Sequence, residues 1–300
     1  MKRVTNLVKV AVGAAMLALL ATGCNVDREW VTSRDPSGAE AQEEMQEQAA
    51  FYDIESSPEL DAAARKYQEY VNGQSELLVD RTEEFVTAVK AGDVDEAKRL
   101  YASSRVPWER IEPVAEKFGT LDPEVDAREG DVPDKQWTGF HKIEKALWVD
   151  GTAEGQDEYA DELMSDVERL ERKVDGVKLQ ASDPVFGAVE LLNEVSATKI
   201  TGEEERYSHT DLYDIAANVE GAKVAFDFVK PVVKRENPEL VAQIEARFEA
   251  VEQEIRPYRR GDGWISYENV DEGQRRELSQ KIDALAEPLS SVGRVLSGGS

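Results

Sequence analysis

GFHKIEKALW, residues 139–148, has the composition of a helix and holds one of the only two histidines in the chain. His141 and Glu144 are three residues apart, so a helix would place both on one face, with Cβ atoms roughly 5–6 Å apart. An imidazole and a carboxylate in that position can share a metal ion, or they can form a plain hydrogen-bonded pair. The spacing alone favours the hydrogen-bonded pair, so the decision depends on the surrounding sequence.

Helical patterns dominate on both sides of this stretch. Ser57 and Asp93 stand where helix N-caps are expected, each followed by an amphipathic segment. No segment of any length alternates as a strand would. The sequence therefore predicts an all-α fold built from packed bundles. Its predicted helices cover about residues 57–90, 94–103, a segment beginning at Pro107, 134–149, 158–174, 183–197, 212–230, 237–256 and 268–285, with a loop at 119–135.

The N-terminus has the features of an export signal. Lys2 and Arg3 precede an apolar stretch at residues 10–21, and small residues lead to Cys24, the only cysteine. This arrangement resembles the lipobox of bacterial lipoproteins. It predicts a signal peptide at residues 1–23, lipidation of Cys24 and anchoring to the outer face of the bacterial cell membrane. Residues 24–50 are polar and are predicted to form a flexible tether.

The chain is strongly acidic, with 62 Asp and Glu residues against 36 Lys and Arg and a formal net charge of −26. Such a protein does not bind nucleic acid by neutralising phosphates. The charge suits the capture of cations, or simply solubility. Beyond the N-terminus no apolar run reaches the roughly 20 residues that a membrane-spanning helix needs.

Several further acidic residues and the second histidine are candidate metal ligands. Glu109 and Glu112 have helical i, i+3 spacing, Glu205 and His209 have i, i+4 spacing, and Asp126 lies in the loop before His141. Helical bundles commonly build metal sites from Glu and His on facing helices, and an excess of carboxylates favours hard cations. The same residues could also be surface acids and a histidine at a helix start, and the spacing does not decide between these readings.

Several catalytic chemistries find no support in the sequence. It contains no His-Glu-x-x-His motif, no Gly-x-Ser-x-Gly elbow and no phosphate-binding glycine loop. The single cysteine is predicted to carry lipid, and together with the shortage of Met this argues against a copper(I) site.

Two blocks of sequence resemble a known family. GFHKIEKALW at residues 139–148 and EERYSHTDL at 204–212, extended by ANVEGA at 217–222, are similar to the signatures of EfeO/EfeM-type iron-uptake lipoproteins of the imelysin-like family. The resemblance implies two four-helix-type bundles with a cleft between them, here residues 51–178 and 179–300. It also implies a metal site at His141 and Glu144. A neighbouring acidic cluster would be formed by Glu109, Glu112 and Asp126, with Glu205 and His209 added from the second half of the chain.

The resemblance further implies a function. The expected protein is not an enzyme but an iron-binding lipoprotein that captures Fe³⁺ or Fe²⁺, with iron favoured over zinc or copper. It would pass the ion to an iron permease of EfeU type and work beside a haem-dependent peroxidase of EfeB type. The cupredoxin domain of some relatives is expected to be lacking.

Two other functions stay open. A zinc metallopeptidase would use His141 as a zinc ligand and Glu144 as ligand or general base. A polysaccharide- or protein-binding lipoprotein would use the same motifs for packing.

Overall fold

In the computed structural model, which describes residues 54–298, the first element is helix α1 (Pro58–Lys90). The Ser57 side chain caps it by accepting a hydrogen bond from the backbone N–H of Leu60 at 3.2 Å. Helix α2 (Val94–Ile111) begins in the same way, because Asp93 accepts from the N–H of Glu96 at 3.1 Å. Both predicted caps are confirmed. The predicted signal peptide, Cys24 and the tether lie outside the described residues.

Seven more helices follow in the described part of the chain, so the predicted all-α fold is confirmed. A two-stranded hairpin, β1 (Arg259–Arg260) and β2 (Gly263–Trp264), is the extended structure that accompanies them. The helices are α3 (Leu121–Asp126), α4 (Gly139–Lys145), α5 (Asp157–Val174), α6 (Ser182–Ala197), α7 (Asp211–Glu236), α8 (Pro238–Ile255) and α9 (Glu272–Leu296).

Three prolines lie inside helices instead of bounding them. The predicted break before Pro107 is wrong, since α2 runs through it to Ile111. Helices α7 and α9 likewise extend beyond their predicted ends, through Pro231 and Pro288. A proline removes one helical hydrogen bond. In α2 the buried face continues on both sides of Pro107, through Trp108 to Ile111, and this packing offsets the lost bond.

The helix that carries His141 and Glu144 is shorter and less regular than the predicted helix at residues 134–149. A 3₁₀ turn (Asp134–Gln136) precedes α4, and a π-helical turn (Ala146–Asp150) follows it. Gly139 begins α4 with φ of 80°, and a Cβ there would stand 2.3 Å from the carbonyl oxygen of Val125. Only glycine fits that conformation and that approach. The close contact brings the end of α3, with Asp126, next to His141.

One apolar core holds these elements together. The rings of Phe85, Tyr101 and Phe140, from α1, α2 and α4, meet with centroids 5.7–6.4 Å apart. A 3₁₀ segment (Glu112–Phe118) links α2 to α3 and packs against α6 at Gly187. No helix within residues 54–298 is long and apolar enough to cross a membrane. The division into bundles at residue 178 stays a prediction.

Candidate metal centre

The site is assembled from seven parts of the chain, namely the six that form its three walls and the 3₁₀ turn Lys199–Thr201. Helix α2 and the 3₁₀ segment after it provide one wall, the end of α3 and helix α4 a second, and the turn before α7 together with α7 itself a third. Two of the polar side chains that these elements bring together, Glu112 and Asp126, are 13% and 10% exposed, and the others are buried. The full set is Tyr101, Arg105, Glu109, Glu112, Asp126, His141, Glu144, Lys199, Glu204, Glu205, Asp211, Asp214 and Asn218.

His141 is the centre of this group and only 1% exposed. Its Nδ1 lies 3.0 Å from Oε2 of Glu144 and 3.3 Å from the Tyr101 hydroxyl. Its Nε2 has no hydrogen-bond partner among the described residues, but it faces Oδ1 of Asp126 at 3.6 Å and Oε1 of Glu204 at 3.8 Å. A buried nitrogen without a partner costs free energy, so this atom calls for an explanation.

Glu144 fixes the orientation of the imidazole. Its other oxygen, Oε1, accepts hydrogen bonds from the backbone N–H groups of Tyr207 at 2.9 Å and Ser208 at 2.7 Å. Burial alone would raise the pKa of Glu144, but His141 and the two N–H groups lower it below its ordinary value. An ionised carboxylate can only accept, so Nδ1 carries a proton in this pair. Burial and Arg105 lower the pKa of His141, but the carboxylates of Asp126, Glu144 and Glu204 raise it well above its ordinary value. Nε2 therefore directs a proton at Asp126 and Glu204, and a cation that takes the Nε2 lone pair would displace this proton.

Arg105 is the larger of the two basic side chains, Arg105 and Lys199, that are buried in this cluster. Its guanidinium contacts Oε1 of Glu109 at 2.5 Å and Oε1 of Glu205 at 2.6 Å, and it also binds Asp126. Burial would raise the pKa of Asp126, but Arg105 first and His141 next hold it well below its usual range. A buried guanidinium with several carboxylate partners preserves the geometry of the cluster, because losing one partner leaves uncompensated charge.

Lys199 is the second buried cation, and it lies in the 3₁₀ turn after α6. Its Nζ is 2.8 Å from both oxygens of Glu112, 3.3 Å from Oε2 of Glu109 and 3.6 Å from Oε1 of Glu204. Burial would raise the pKa of Glu204, yet Lys199 and His141 lower it to about 2. The pKa of Glu112 stays well above normal, because burial outweighs the attraction of Lys199.

Carboxylates outnumber the cations that face them. Burial, helped by Glu144, raises the pKa of Glu205 to about 8. Burial also raises that of Asp211 to about 7 and that of Asp214 well above its ordinary value. Neither oxygen of Asp214 accepts a hydrogen bond within the described part of the chain. Such a cluster holds protons that a multivalent cation can displace.

Two overlapping groups of side chains have ligand atoms within 4.8 Å of one another. The first is Asp126, His141 and Glu204, and the second is His141, Glu144 and Glu205. In the second group the histidine would ligate through Nδ1, which Glu144 already occupies. In the first group the ligand atoms would be the unpartnered Nε2 of His141 and oxygens of Asp126 and Glu204, two carboxylates whose pKa values are lowered. One imidazole with carboxylate oxygens suits iron, manganese or zinc.

Similarity to known proteins assigns the chain to a family. The family model of imelysin, described as Peptidase M75, matches residues 63–292. The chain belongs to the imelysin family. The matched region contains every residue of the buried cluster.

Two relatives carry informative names. An Efem/EfeO family lipoprotein from Staphylococcus haemolyticus is 44% identical over 243 residues, which is 79% of this chain and 85% of the relative. The iron uptake system component EfeO of Escherichia coli O157:H7 is 44% identical over 241 residues, again 79% of this chain. The aligned part is 64% of the length of that EfeO.

Most residues predicted as ligands lie together, but His209 does not. Glu109, Glu112, Asp126, His141, Glu144 and Glu205 all belong to the buried cluster. His209 lies in the turn before α7 with φ of 57°, and its Nε2 faces Glu268 at 3.7 Å. Its side chain is 38% exposed. Glu205 and His209 are joined through a backbone hydrogen bond of 2.8 Å in that turn, not through one helical face.

Sequence reasoning missed Glu204 and both buried cations. Glu204 stands beside Glu205 in the second imelysin block, so its neighbour was the available signal. Arg105 is four residues before Glu109, a spacing at which opposite charges pair on a helix. Lys199 gave no local signal. Two of its carboxylate partners, Glu109 and Glu112, are 87 or more residues away along the chain, and only Glu204 is near it.

Proposed function

We propose that this protein binds an iron ion at the His141 cluster and serves as a component of an iron-uptake system. The names of relatives at 44% identity support the iron-uptake role. The chemistry of the cluster supports the ion, since carboxylates with one imidazole are ligands that iron accepts. Asp126, His141 and Glu204 are the proposed ligands, and Glu144 is the proposed positioning residue.

One observation carries this proposal. Nε2 of His141 is buried, has no hydrogen-bond partner among residues 54–298 and faces two carboxylate oxygens at 3.6 and 3.8 Å. A cation placed among these three atoms would give Nε2 a partner, and it would share Oδ1 of Asp126 with Arg105 and Oε1 of Glu204 with Lys199. Glu144 on Nδ1 completes the carboxylate–histidine–metal arrangement, in which the carboxylate fixes the tautomer and strengthens the ligand.

Burial favours ion binding over peptide cleavage. The imidazole and the carboxylates of Glu204 and Asp126 are at most 10% exposed. A peptidase needs an open metal position that its substrate can reach. A bare cation is small enough for such a site, whereas a peptide bond is not. We therefore favour a binding protein over the zinc metallopeptidase, although the family description contains the word peptidase.

The proposed setting is the outer face of the bacterial cell membrane. A lipid anchor at Cys24 and a tether at residues 24–50 would hold the folded part near the bilayer. The relative from Staphylococcus haemolyticus is itself named a lipoprotein. The proposed recipient of the ion is an iron permease of EfeU type, with a haem-dependent peroxidase of EfeB type as a second partner.

Metal analysis and titration calorimetry on the purified protein test the proposal. The wild type is expected to bind Fe²⁺ or Fe³⁺, and His141→Ala and Asp126→Asn are expected to abolish or sharply weaken binding. His209→Ala is the matched control, because it removes the only other histidine from a position outside the cluster.

Two outcomes would overturn the proposal. One is a wild type that takes up no iron. The other is equal loss of binding in His141→Ala and His209→Ala, which would remove the reason for placing the ion at the cluster. Zinc-dependent cleavage of a peptide that is lost in Glu144→Gln would favour the peptidase instead.

A further inference from the structure

A second acidic feature lies beside the buried cluster. A cavity of about 550 Å³ is lined by the 3₁₀ segment Glu112–Phe118 and helix α6, beside the point where the two pack together at Gly187. Its walls bear many carboxylates and one lysine, Lys117, which is already paired with Asp183 at 2.9 Å. We call this space the acidic vestibule. Its carboxylates are Glu112, Glu116, Asp122, Asp183, Glu190 and Glu194.

Glu112 connects the vestibule to the cluster. It lines the vestibule, its side chain is 13% exposed, and its oxygens contact Nζ of Lys199 at 2.8 Å and Nδ2 of Asn218 at 2.8 Å. Nζ of Lys199 in turn lies 3.6 Å from Oε1 of Glu204. The same oxygen of Glu204 faces Nε2 of His141 at 3.8 Å. The ammonium group of Lys199 therefore stands between the vestibule and the unpartnered imidazole nitrogen.

We propose that cations reach the His141 site through the acidic vestibule, and that the Lys199 ammonium is an internal cation that the arriving ion must displace. This inference rests on the proposed iron binding. Carboxylates of one sign around a low-dielectric cavity concentrate cations at its mouth and raise association rates. An ammonium on a flexible four-carbon side chain can leave its carboxylates as a multivalent ion takes them.

Displacement of Lys199 gives the site a selectivity for charge. A monovalent ion offers Glu109, Glu112 and Glu204 no more charge than the ammonium that they already hold. A divalent or trivalent ion interacts more strongly with the same oxygens, because the Coulomb energy scales with the charge. Lys199 thus excludes monovalent ions and slows the entry of multivalent ones.

Stopped-flow measurement of Fe²⁺ association with the full purified protein, kept anoxic and followed by tryptophan fluorescence, tests the vestibule. Glu190→Gln/Glu194→Gln removes two exposed charges, one helical turn apart on α6. We expect the association rate constant to fall about three- to tenfold at low salt, and the difference to shrink at high salt. The matched control is Glu239→Gln/Glu249→Gln on α8, which does not line the vestibule. A rate equal to the control's would overturn the route.

The same measurement tests Lys199. Lys199→Met is expected to speed iron association at least tenfold, because the internal cation is gone. Lys199→Arg is expected to slow association at least threefold, because a planar guanidinium binds carboxylates through two parallel hydrogen bonds and is harder to displace. If Lys199 serves only as a structural countercharge, Lys199→Arg should bind iron at the wild-type rate. That result would overturn the displacement step. Lys199→Arg decides the question even if Lys199→Met fails to fold, which circular dichroism would reveal.

The two proposals fail in different ways. If the wild type takes up no iron, the proposed function falls. If the wild type binds iron and His141→Ala does not, but neither the α6 pair nor Lys199→Arg changes the association rate, only the vestibule and the displacement of Lys199 fall.

Discussion

Glu144 shows how one side chain can connect two distant parts of the site. One of its oxygens holds Nδ1 of His141, and the other accepts the N–H groups of Tyr207 and Ser208, more than 60 residues further along the chain. The imidazole is thereby oriented by a group that also fixes the turn carrying Glu204 and Glu205. In the His-x-x-Glu motif Glu144 therefore orients the imidazole of His141, and Nε2 of that imidazole is the atom available to the ion.

Glu144→Gln is expected to weaken iron binding by about 10–100-fold. The amide oxygen of the glutamine would remain on the two backbone N–H groups, so its NH₂ would face Nδ1. Nδ1 would then have to accept, and the proton would move to Nε2, which could no longer ligate. Calorimetry with Fe²⁺ measures the loss, and the thermal midpoint checks that the fold is intact. An unchanged affinity would contradict the positioning role.

Asp122, in the wall of the vestibule, is expected to make stability depend on pH. Burial first, and the neighbouring Asp126 next, raise its pKa to about 7. The folded state therefore binds this proton more tightly than the unfolded chain, and the stability gained from it is lost as pH rises through about 7. Asp122→Asn cannot titrate, so its advantage over the wild type in thermal midpoint should grow between about pH 5 and pH 8.

The control for this prediction is Asp80→Asn, the same change at an exposed position of α1. Its difference from the wild type should stay constant over the same pH range. A constant difference for Asp122→Asn as well would remove Asp122 as the source of the pH dependence.

At the scale of elements, the sequence predicts those features that depend on contacts between residues close together in the chain. The starts of α1 and α2 were predictable, because Ser57 and Asp93 cap through contacts three residues away. The His141–Glu144 pair was predictable for the same reason, since both lie on α4. The course of the helices through Pro107, Pro231 and Pro288 was not, because packing against distant elements sustains them.

The remainder of the site depends on long-range contacts that the sequence does not reveal. Lys199 meets Glu112 across 87 residues, and Arg128 meets Glu204 across 76. His209 shows the opposite relation between sequence and structure. It shares a block with Glu204 and Glu205, but the turn that contains them sends its ring toward Glu268. Nearness in the chain was a poor guide where the backbone is not helical.

Helix α6 and the 3₁₀ segment after α2 meet at Gly187, where a Cβ would lie 1.6 Å from the carbonyl oxygen of Pro113. Gly187→Ala must therefore separate the two elements, and we expect a loss of about 1–3 kcal/mol in the free energy of unfolding. Gly73→Ala in α1 is the control, because nothing lies within 4 Å of its new methyl group. That change should stabilise the protein by about 0.5–1 kcal/mol through helix propensity. Urea titrations of both variants measure the difference, and a neutral Gly187→Ala would contradict the tight contact.

At the scale of the whole molecule, the proposed ion site is shared between the two predicted halves. Asp126 and His141 come from the first half, whereas Glu204 comes from the second. Buried charges also cross this division, since Arg105 pairs with Glu205 and Lys199 with Glu109 and Glu112. Separating the halves would leave these charges buried without partners or expose them to water. The halves are thus expected to unfold together.

Iron should strengthen this coupling, because the ion would bind only when both halves are in place. With Fe²⁺ at about 100 times its dissociation constant, the folded state gains about 2.7 kcal/mol. For a folded region of this size that corresponds to a rise of about 5–10 °C in the thermal midpoint. Calorimetric scans of the wild type should show one transition that shifts as a whole, and the shift should vanish in His141→Ala but persist in His209→Ala. Two transitions, only one of them moved by iron, would mean that the ion is held within one bundle, and Glu204 would then have to be removed from the proposed ligands.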